Sequence, residues 1–266
     1  MTSECPDEFI DLAHKLADAA GEIIRPLFRQ KLDIVSKDDS SPVTIADQNA
    51  EMAMRKLIEA AYPEHGIYGE EHGQVRTDAE YVWVLDPIDG THSFISGAPT
   101  FAILIGLTRN GKPVMGIVDQ PISGERWVGA NGKTTLNGQP VSTNANVTTA
   151  EDASLFSYGI ELFKSPKGEN YKSLTEAVRR IRFGYDSYAF ALLSLGFVDI
   201  VADADMKPFD YCALVPVVEN AGGVISDWEG NPLTLTNPGY VLATGNKPLH
   251  QATLNVMNSA KASKAI

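Results

Sequence analysis

The segment Asp86-Pro87-Ile88-Asp89-Gly90-Thr91 constrains this chain more than any other. It directly follows an apolar run, Tyr81-Val82-Trp83-Val84-Leu85, that reads as a buried strand. Two carboxylates, a turn-forming proline, a glycine and a hydroxyl then crowd together. Carboxylates three residues apart across a tight turn converge on one point, and unpaired there they repel. A cation between them resolves the repulsion. Hard oxygen ligands suit Mg2+, which is commonly held by a few carboxylates plus substrate phosphate. Gly90 and Thr91 also offer backbone N–H groups where a helix can begin, an arrangement that favours anions. Metal and phosphate would meet at one place. An Asp-rich turn that merely closes a strand has the same local sequence, so the rest of the chain decides.

The chain has 266 residues, 44% hydrophobic and 21% charged, enough for one large domain or two tightly joined ones. No apolar run reaches the roughly 18 residues of a membrane span. The start, Met1-Thr2-Ser3-Glu4-Cys5-Pro6-Asp7-Glu8, lacks the basic and apolar regions of a targeting peptide. Cys5 and Cys212 give neither a disulfide framework nor metal-ligand spacing, and a buried structural thiol is expected at Cys212. These features predict a cytoplasmic protein. A net charge of −12 argues against binding nucleic acid or an anionic membrane. It would also repel a phosphate substrate, so any attraction must be local, with bound divalent cations as its source.

Phe9, Leu12, Ala13, Leu16, Ala20, Ile23 and Leu27 follow helical spacing, with Pro6 just inside the start. Residues 31–42 are polar and predict a loop. A second helix is expected from about 44 to 61, with Met54, Leu57, Ile58 and Ala61 on one face and Tyr62-Pro63 closing it. Residues 66–73, containing Gly69-Glu70-Glu71, read as a turn-rich segment. Strands are expected at 81–85, 100–108, 113–119 and 125–130, with Asn110-Gly111 as a hairpin turn and Asn137-Gly138 as a later turn. In the second half, 155–157, 198–202, 224–227 and 240–244 read as strands. Residues 168–180, 187–195, 209–220 and the tail from 248 read as helices. The mixture predicts layered α/β structure. A Thr-, Asn- and Ala-rich stretch at 140–152 marks either a loop or a boundary between halves 1–145 and 146–266 of a single catalytic unit.

Acidic residues recur at predicted element ends: Asp47, Glu70, the Asp86/Asp89 pair and Asp210. Singly, each has a plainer reading. Asp47 suits a helix N-cap, Glu70 and Glu71 suit a solvated turn, and Asp210 suits the first turn of a helix. Taken in order, they resemble the inositol monophosphatase family of Mg2+-dependent, lithium-sensitive phosphatases. The resemblance runs from the first helix to the strand at 240–246. One departure is Phe209, where the family usually has Trp before the last aspartate. The family implies an αβαβα sandwich and a homodimer. It implies that Glu70, Asp86 and the Ile88 carbonyl hold one Mg2+, that Asp86, Asp89 and Asp210 hold another, and that Glu70 helps hold a third. It also implies that Thr91, hydrogen-bonded to Asp47, orients the attacking water. Two metals can clamp the attacking and leaving oxygens of an in-line displacement. His92 is read as a pocket-lining or surface side chain, since the metals and Thr91 account for the water.

The substrate must be read outside that pattern. Thr91-His92-Ser93-Phe94-Ile95-Ser96-Gly97-Ala98-Pro99-Thr100-Phe101, Gly184-Tyr185-Asp186-Ser187-Tyr188-Ala189-Phe190 and Met206-Lys207-Pro208-Phe209-Asp210-Tyr211 are similar to histidinol-phosphate phosphatases of this fold. Asp186 stands where inositol phosphatases commonly have a small neutral residue. A carboxylate there suits a substrate bearing an ammonium or imidazolium. Asp203 stands where the family contacts the non-phosphate part of the substrate, with Asp89, Gly90 and Thr91 at the phosphate end. A solvated or capping aspartate is the plain alternative for both, and is preferred for Asp205. The expectation is a phosphomonoesterase acting on L-histidinol phosphate in histidine biosynthesis. The alternative is an inositol 1-phosphatase or a broad sugar or polyol phosphatase. Bisphosphate substrates are disfavoured, because no basic pocket for a second phosphate is evident. A non-catalytic relative would have lost a metal ligand or Thr91, and none is lost here.

Overall fold

The computed structural model of the protein describes residues 5–31, 35–36 and 42–262. The first apolar stripe forms α1 (Asp7–Ile24) with Pro6 at its cap, and a 3-10 turn, Arg25–Leu27, continues it. β1 (Val35–Ser36) pairs with β2 (Pro42–Val43), and most of the loop expected over 31–42 lies outside the described residues. Thr44 caps α2 (Ile45–Ala61), and Asp47 is not the N-cap but the third helical residue of a capping box. Its carboxylate accepts from both the backbone and the hydroxyl of Thr44, which is why the cap needs both residues.

β3 (Gly66–Gly69), β4 (Gln74–Val75), β5 (Tyr81–Asp89), β6 (Ala102–Arg109), β7 (Lys112–Gln120), β8 (Glu125–Ala130), β9 (Lys133–Leu136) and β10 (Gln139–Val141) form one sheet in the order β10-β9-β8-β7-β6-β5-β3-β4. A short helix, α3 (Thr91–Ile95), follows β5. β11 (Ser154–Ser157), β12 (Arg180–Phe183), β13 (Ile200–Asp203), β14 (Val224–Ser226) and β15 (Val241–Thr244) form a second sheet in the order β12-β11-β13-β15-β14. The remaining helices are α4 (Gly168–Ala177), α5 (Tyr188–Ser194), α6 (Pro208–Tyr211), α7 (Leu214–Glu219) and α8 (Lys247–Ala262). No described helix is long and apolar enough to cross a membrane.

Strand alternation builds the layers. Trp83, Leu85, Ile103, Ile105 and Ile117 meet Leu12, Leu16, Met54 and Ile58 of α1 and α2. Their neighbours Val84, Leu104 and Val118 point the other way, onto Phe190 and Leu193 of α5 and Leu214 and Val217 of α7. Val201, Val241 and Ala243 of the second sheet join that same cluster, so one apolar layer touches both sheets. The far face of the second sheet, with Leu155, Ile200 and Leu242, packs on Tyr171 and Leu174 of α4 and Leu249 and Met257 of α8. The order is the expected αβαβα sandwich.

Several local expectations differ from the structure. Residues 66–69 are a strand parallel to β5, not a turn, because two glycines let it pass close to its neighbours. The helix expected at 168–180 stops at Ala177, and β12 follows as an edge strand. The helix expected at 209–220 is broken into α6 and α7. Pro216 has no N–H to give the Cys212 carbonyl, which removes the bond that would bridge the break. The segments flanking Asn137-Gly138 are strands β9 and β10.

The middle layer sits close on the first sheet because Gly116 of β7 faces the α6–α7 junction. A Cβ built on Gly116 would overlap the Ala213 carbonyl. Gly116→Ala should therefore destabilise the protein by about 1–3 kcal/mol, read as a lower urea midpoint. Activity should fall with it, because the same junction carries Asp210. An unchanged midpoint would mean that the junction yields freely.

Candidate active site

β5 and β6 keep antiparallel register as far as Asp86 opposite Leu104, and resume with Asp89 opposite Ala102. Three steps on one strand match two on the other, so one residue is bulged out. The shift falls across Pro87-Ile88, and Pro87 has no N–H for the ladder. In an even strand, residues three apart point to opposite faces. The extra residue cancels that alternation. Carboxylate oxygens of Asp86, Asp89 and Asp210 consequently lie within 4.8 Å of one another. Convergence was expected across a tight turn, but the backbone device is a bulged strand end. Gly90 follows with φ 84, in the left-handed region, and starts α3.

Each of these carboxylates has one oxygen anchored by a backbone amide. Ile88 N donates to Asp86 Oδ1 at 3.0 Å, Ser187 N to Asp89 Oδ2 at 2.7 Å, and Lys207 N to Asp210 Oδ2 at 2.6 Å. The other oxygens remain for the shared centre. Glu70 is brought to the end of β5 by its N–H, which donates to the Leu85 carbonyl at 3.2 Å. Asp86 lies close enough to Glu70 and Asp210 to be coupled to both electrostatically. Burial first, then the charges of Glu70, Asp89 and Asp210, holds Asp86 well above the usual carboxylate range. Burial first, then Asp89, does the same for Asp210. Burial and the charge of Asp186 push Asp89 up to about 7. Anchored carboxylates that keep a proton where a cation could sit are a donor set that fits Mg2+.

Thr91 and Asp47 are placed differently from expectation. The Thr91 hydroxyl donates to the Ile88 carbonyl at 3.2 Å, three residues back, and not to Asp47. Asp47 is fully buried; its Oδ2 is taken by Thr44, and among the described residues its Oδ1 has no hydrogen-bond partner. Burial raises its pKa, and the charge of Glu70 adds to the shift. An unpartnered buried carboxylate oxygen is costly. It is an acceptor waiting for a water, a metal-held group or a rotated Thr91.

A cleft of about 210 Å3 opens beside the cluster, lined by Asp89, Gly90, Thr91, His92, Tyr158, Asp186, Ser187, Asp203, Asp205, Met206 and Asp210. Five of the described lining residues are aspartates, and none is lysine or arginine. Asp203 is 5% exposed, and its Oδ1 accepts from Ser157 Oγ at 3.0 Å and Tyr158 N at 2.7 Å. Burial pushes it up to about 7. Asp186 is 8% exposed and sits at φ 46, with its Oδ2 accepting from Ser93 Oγ at 2.5 Å. His92 is exposed on the wall, as expected. A larger groove of about 1000 Å3 lies elsewhere, at His14, Arg25, Asp119 and Arg126. Its Arg126 is already paired with Asp18 and Asp119, which leaves that guanidinium little to offer a ligand.

Sequence reasoning missed Glu51. It is fully buried on α2 and accepts from Glu71 N at 2.7 Å, His72 N at 3.0 Å and Arg55 Nε at 2.7 Å. It thereby holds the two residues that follow Glu70. A Cβ on Gly69 would overlap Glu51 Oε1, so this contact needs glycine there. The signal was present: Asp47, Glu51, Met54 and Ile58 share one helical face, and an acid on an apolar face needs partners. Ser187, whose N–H anchors Asp89, carried no signal, because a backbone donor is indifferent to side-chain type.

The raised carboxylates make metal-free stability depend on pH. Asp89 and Asp203 titrate near 7 when folded, against 3.8 for an ordinary aspartate. Between those values the folded state binds more protons than the unfolded one, so stability falls as pH rises. In a chelator, Tm should be higher near about pH 5 than near about pH 8. Mg2+ should shrink or reverse that difference, because it binds the ionised carboxylates. Thermal scans with and without Mg2+ check this, and a pH-independent Tm in chelator would refute it.

Comparison with known proteins agrees with this geometry. The family described as "Inositol monophosphatase family" matches residues 6–262. The chain is 47% identical to "Bifunctional phosphatase IMPL2, chloroplastic" of Arabidopsis thaliana, over 93% of this chain and 74% of that protein. It is 33% identical to a histidinol-phosphatase of Chlorobaculum parvum, over 88% of this chain and 91% of that one. Among solved structures, an inositol monophosphatase from Zymomonas mobilis superposes with a TM-score of 0.87 at 43% identity, covering 95% of this chain and 98% of that one. Enzymes of this family are metal-dependent, typically on Mg2+. The bulged acidic strand, the five-layer sandwich and these likenesses together place the chain in the inositol monophosphatase family, as a phosphoric monoester hydrolase.

Proposed function

We propose that the protein is a Mg2+-dependent phosphatase that hydrolyses L-histidinol phosphate to L-histidinol and phosphate, a step of histidine biosynthesis. The observation that carries this reading is the sign of the cleft. Asp186 and Asp203, both nearly buried, line the same cleft as Asp89 and Asp210, with no lysine or arginine among the described lining residues. Such a cleft disfavours a phosphate ester unless cations offset it at both ends. Metal does so at the phosphate, and an ammonium or imidazolium does so at the body of the substrate. The likeness to the Chlorobaculum histidinol-phosphatase supports the same assignment. A second reading, a phosphatase of inositol or another polyol or sugar, draws on the likeness to the Zymomonas enzyme.

In this reading Glu70, Asp86, the Ile88 carbonyl, Asp89 and Asp210 would hold about two or three Mg2+, which neutralise phosphoryl charge and acidify the attacking water. Asp86 would serve more than one ion, since it is the buried carboxylate coupled to both Glu70 and Asp210. Gly90 and Thr91 would meet the phosphate at the start of α3. The Thr91 hydroxyl and the unpartnered Asp47 Oδ1 would fix the direction of the water's lone pair and proton. Asp186 and Asp203 would take the cationic body. Inhibition by lithium at the Asp86, Asp89 and Asp210 cluster, and assembly as a homodimer, belong to the same proposal.

Asp86→Asn tests the metal set. Groups that only support metal ligands are worth about 10–100-fold, so losing Asp86 should lower kcat by more than about a hundredfold. Tm in chelator should hold or rise, because one of four crowded acids is gone. Activity close to the parent's at saturating Mg2+ would disprove the assignment.

Asp186→Asn tests the substrate. A charge-assisted contact contributes roughly 1.5–3 kcal/mol. Its loss should lower kcat/KM for histidinol phosphate about tenfold to a hundredfold. The effect on inositol 1-phosphate should be small or favourable, since the lost charge also repelled phosphate. An equal loss on both substrates, or a parent enzyme that prefers inositol phosphate, would hand the assignment to the second reading.

A further inference from the structure

We infer that Ser93, supported by Thr100, is a positioning residue that aims the Asp186 carboxylate and so sets the preference for a cationic substrate body. The inference rests on the proposed function and adds to it the residues that make Asp186 selective.

Asp186 is held in an unusual way. Its backbone is in the left-handed region at φ 46, which an aspartate adopts at some cost. It presses on Gly90: a Cβ there would stand 2.6 Å from Asp186 Oδ2. The next residue, Ser187, donates its N–H to Asp89 at 2.7 Å. The backbone of Asp186 is thus tied to the metal cluster, while its side chain reaches back over the first turn of α3. There Ser93 Oγ donates to Oδ2 at 2.5 Å. That hydroxyl has one proton, and its lone pairs accept from Thr100 Oγ1 at 3.1 Å. The Thr100 bond therefore leaves the Ser93 proton with one place to go, the carboxylate. Among the described residues, Oδ1 of Asp186 makes no hydrogen bond, and the residue lines the cleft.

A carboxylate fixed through one oxygen presents the other in a defined direction. Without Ser93 it can rotate about its last bond and lose aim at a bound ammonium. The phosphate end would sense this change less than the substrate body does, because Asp89 is held by the Ser187 backbone and not by Ser93, although the Asp186 charge reaches Asp89. Position and selectivity are therefore separable. Ser93 acts on the body of the substrate through Asp186, and touches neither the metal ligands nor the reacting phosphorus.

The test compares the parent enzyme with Ser93→Ala, Ser93→Thr and Thr100→Val, all with Mg2+, on histidinol phosphate and inositol 1-phosphate. Ser93→Ala should raise KM for histidinol phosphate about tenfold with kcat within about twofold, as expected for lost ground-state binding. KM for inositol 1-phosphate should move less than about twofold. Ser93→Thr keeps the hydroxyl and should restore most of the effect. Thr100→Val should shift KM in the same direction by less, and it keeps the test open if Ser93→Ala folds poorly. If the parent prefers histidinol phosphate but Ser93→Ala changes neither substrate, changes both alike, or is not rescued by threonine, the positioning role is wrong and the functional assignment stands. If the parent has no preference for histidinol phosphate, both fall together.

Discussion

Repulsion among crowded, buried and half-buried carboxylates is the constraint on which the rest of this structure depends. Glu70, Asp86, Asp89 and Asp210 are brought together by a strand, a bulge and a short helix that otherwise have no reason to meet. Left to electrostatics, they would spread apart. They are kept in place by backbone amides, which do not rotate: Ile88, Ser187 and Lys207 each fix one oxygen. Those donors come from three different elements. The carboxylate cluster therefore exists only when the first sheet and the middle helical layer are assembled. Function and tertiary fold are linked at this point, and local folding of the Asp-Pro-Ile-Asp segment could not produce the site alone.

The same logic extends outward from the cluster. Glu51 accepts from the two amides after Glu70, and Arg55 offsets the charge of Glu51 itself. Ser187 links Asp89 to the segment carrying Asp186, and Ser93 with Thr100 holds Asp186 from the other side. A continuous set of hydrogen bonds thus runs from α2 through the metal-ligating strand to the substrate end of the cleft. Negative groups predominate along it. A protein with a net charge of −12 places still more negative charge where a phosphate must bind, which makes sense only if cations complete the site.

Much of this was legible in the sequence, for identifiable reasons. The apolar run at 81–85 and the acids after it are local signals, and the helices α1 and α2 show plain periodicity. Layering as such followed from the mixture of element types along the chain, and the αβαβα order from the family resemblance. Less legible were features that arise from contact. Nothing in Pro87-Ile88 distinguishes a bulged strand end from a turn. Residues 66–69 carry two glycines and so look like a loop, yet those glycines are what a strand needs to pass this close to Glu51 and Arg76. Thr91 was expected on Asp47, but a hydroxyl opening a helix reaches the carbonyl three residues back more easily than a side chain on a distant one. Asp47, read as a possible cap, became the partner of the cap, because Thr44 supplies the hydroxyl that Asp47 lacks.

The two ends of the cleft obey different physics. At the cluster, charges crowd so closely that protons or a metal must offset them, and any small phosphate ester would gain from a bound metal to a similar degree. The phosphate end is therefore powerful but indiscriminate. At the other end, the proposed contact of Asp186 with the body of the substrate, made alongside Asp203, would contribute roughly 1.5–3 kcal/mol. That is enough to rank substrates within about two powers of ten, and too little to exclude one. A family built on the same cluster can thus diverge in substrate by changing a residue such as Asp186, or the hydroxyls that aim it, while the metal-binding strand stays as it is. For this chain, the left-handed backbone at Asp186 sets that carboxylate beside the fixed ones: its Oδ2 lies against Gly90, and the N–H of the next residue holds Asp89.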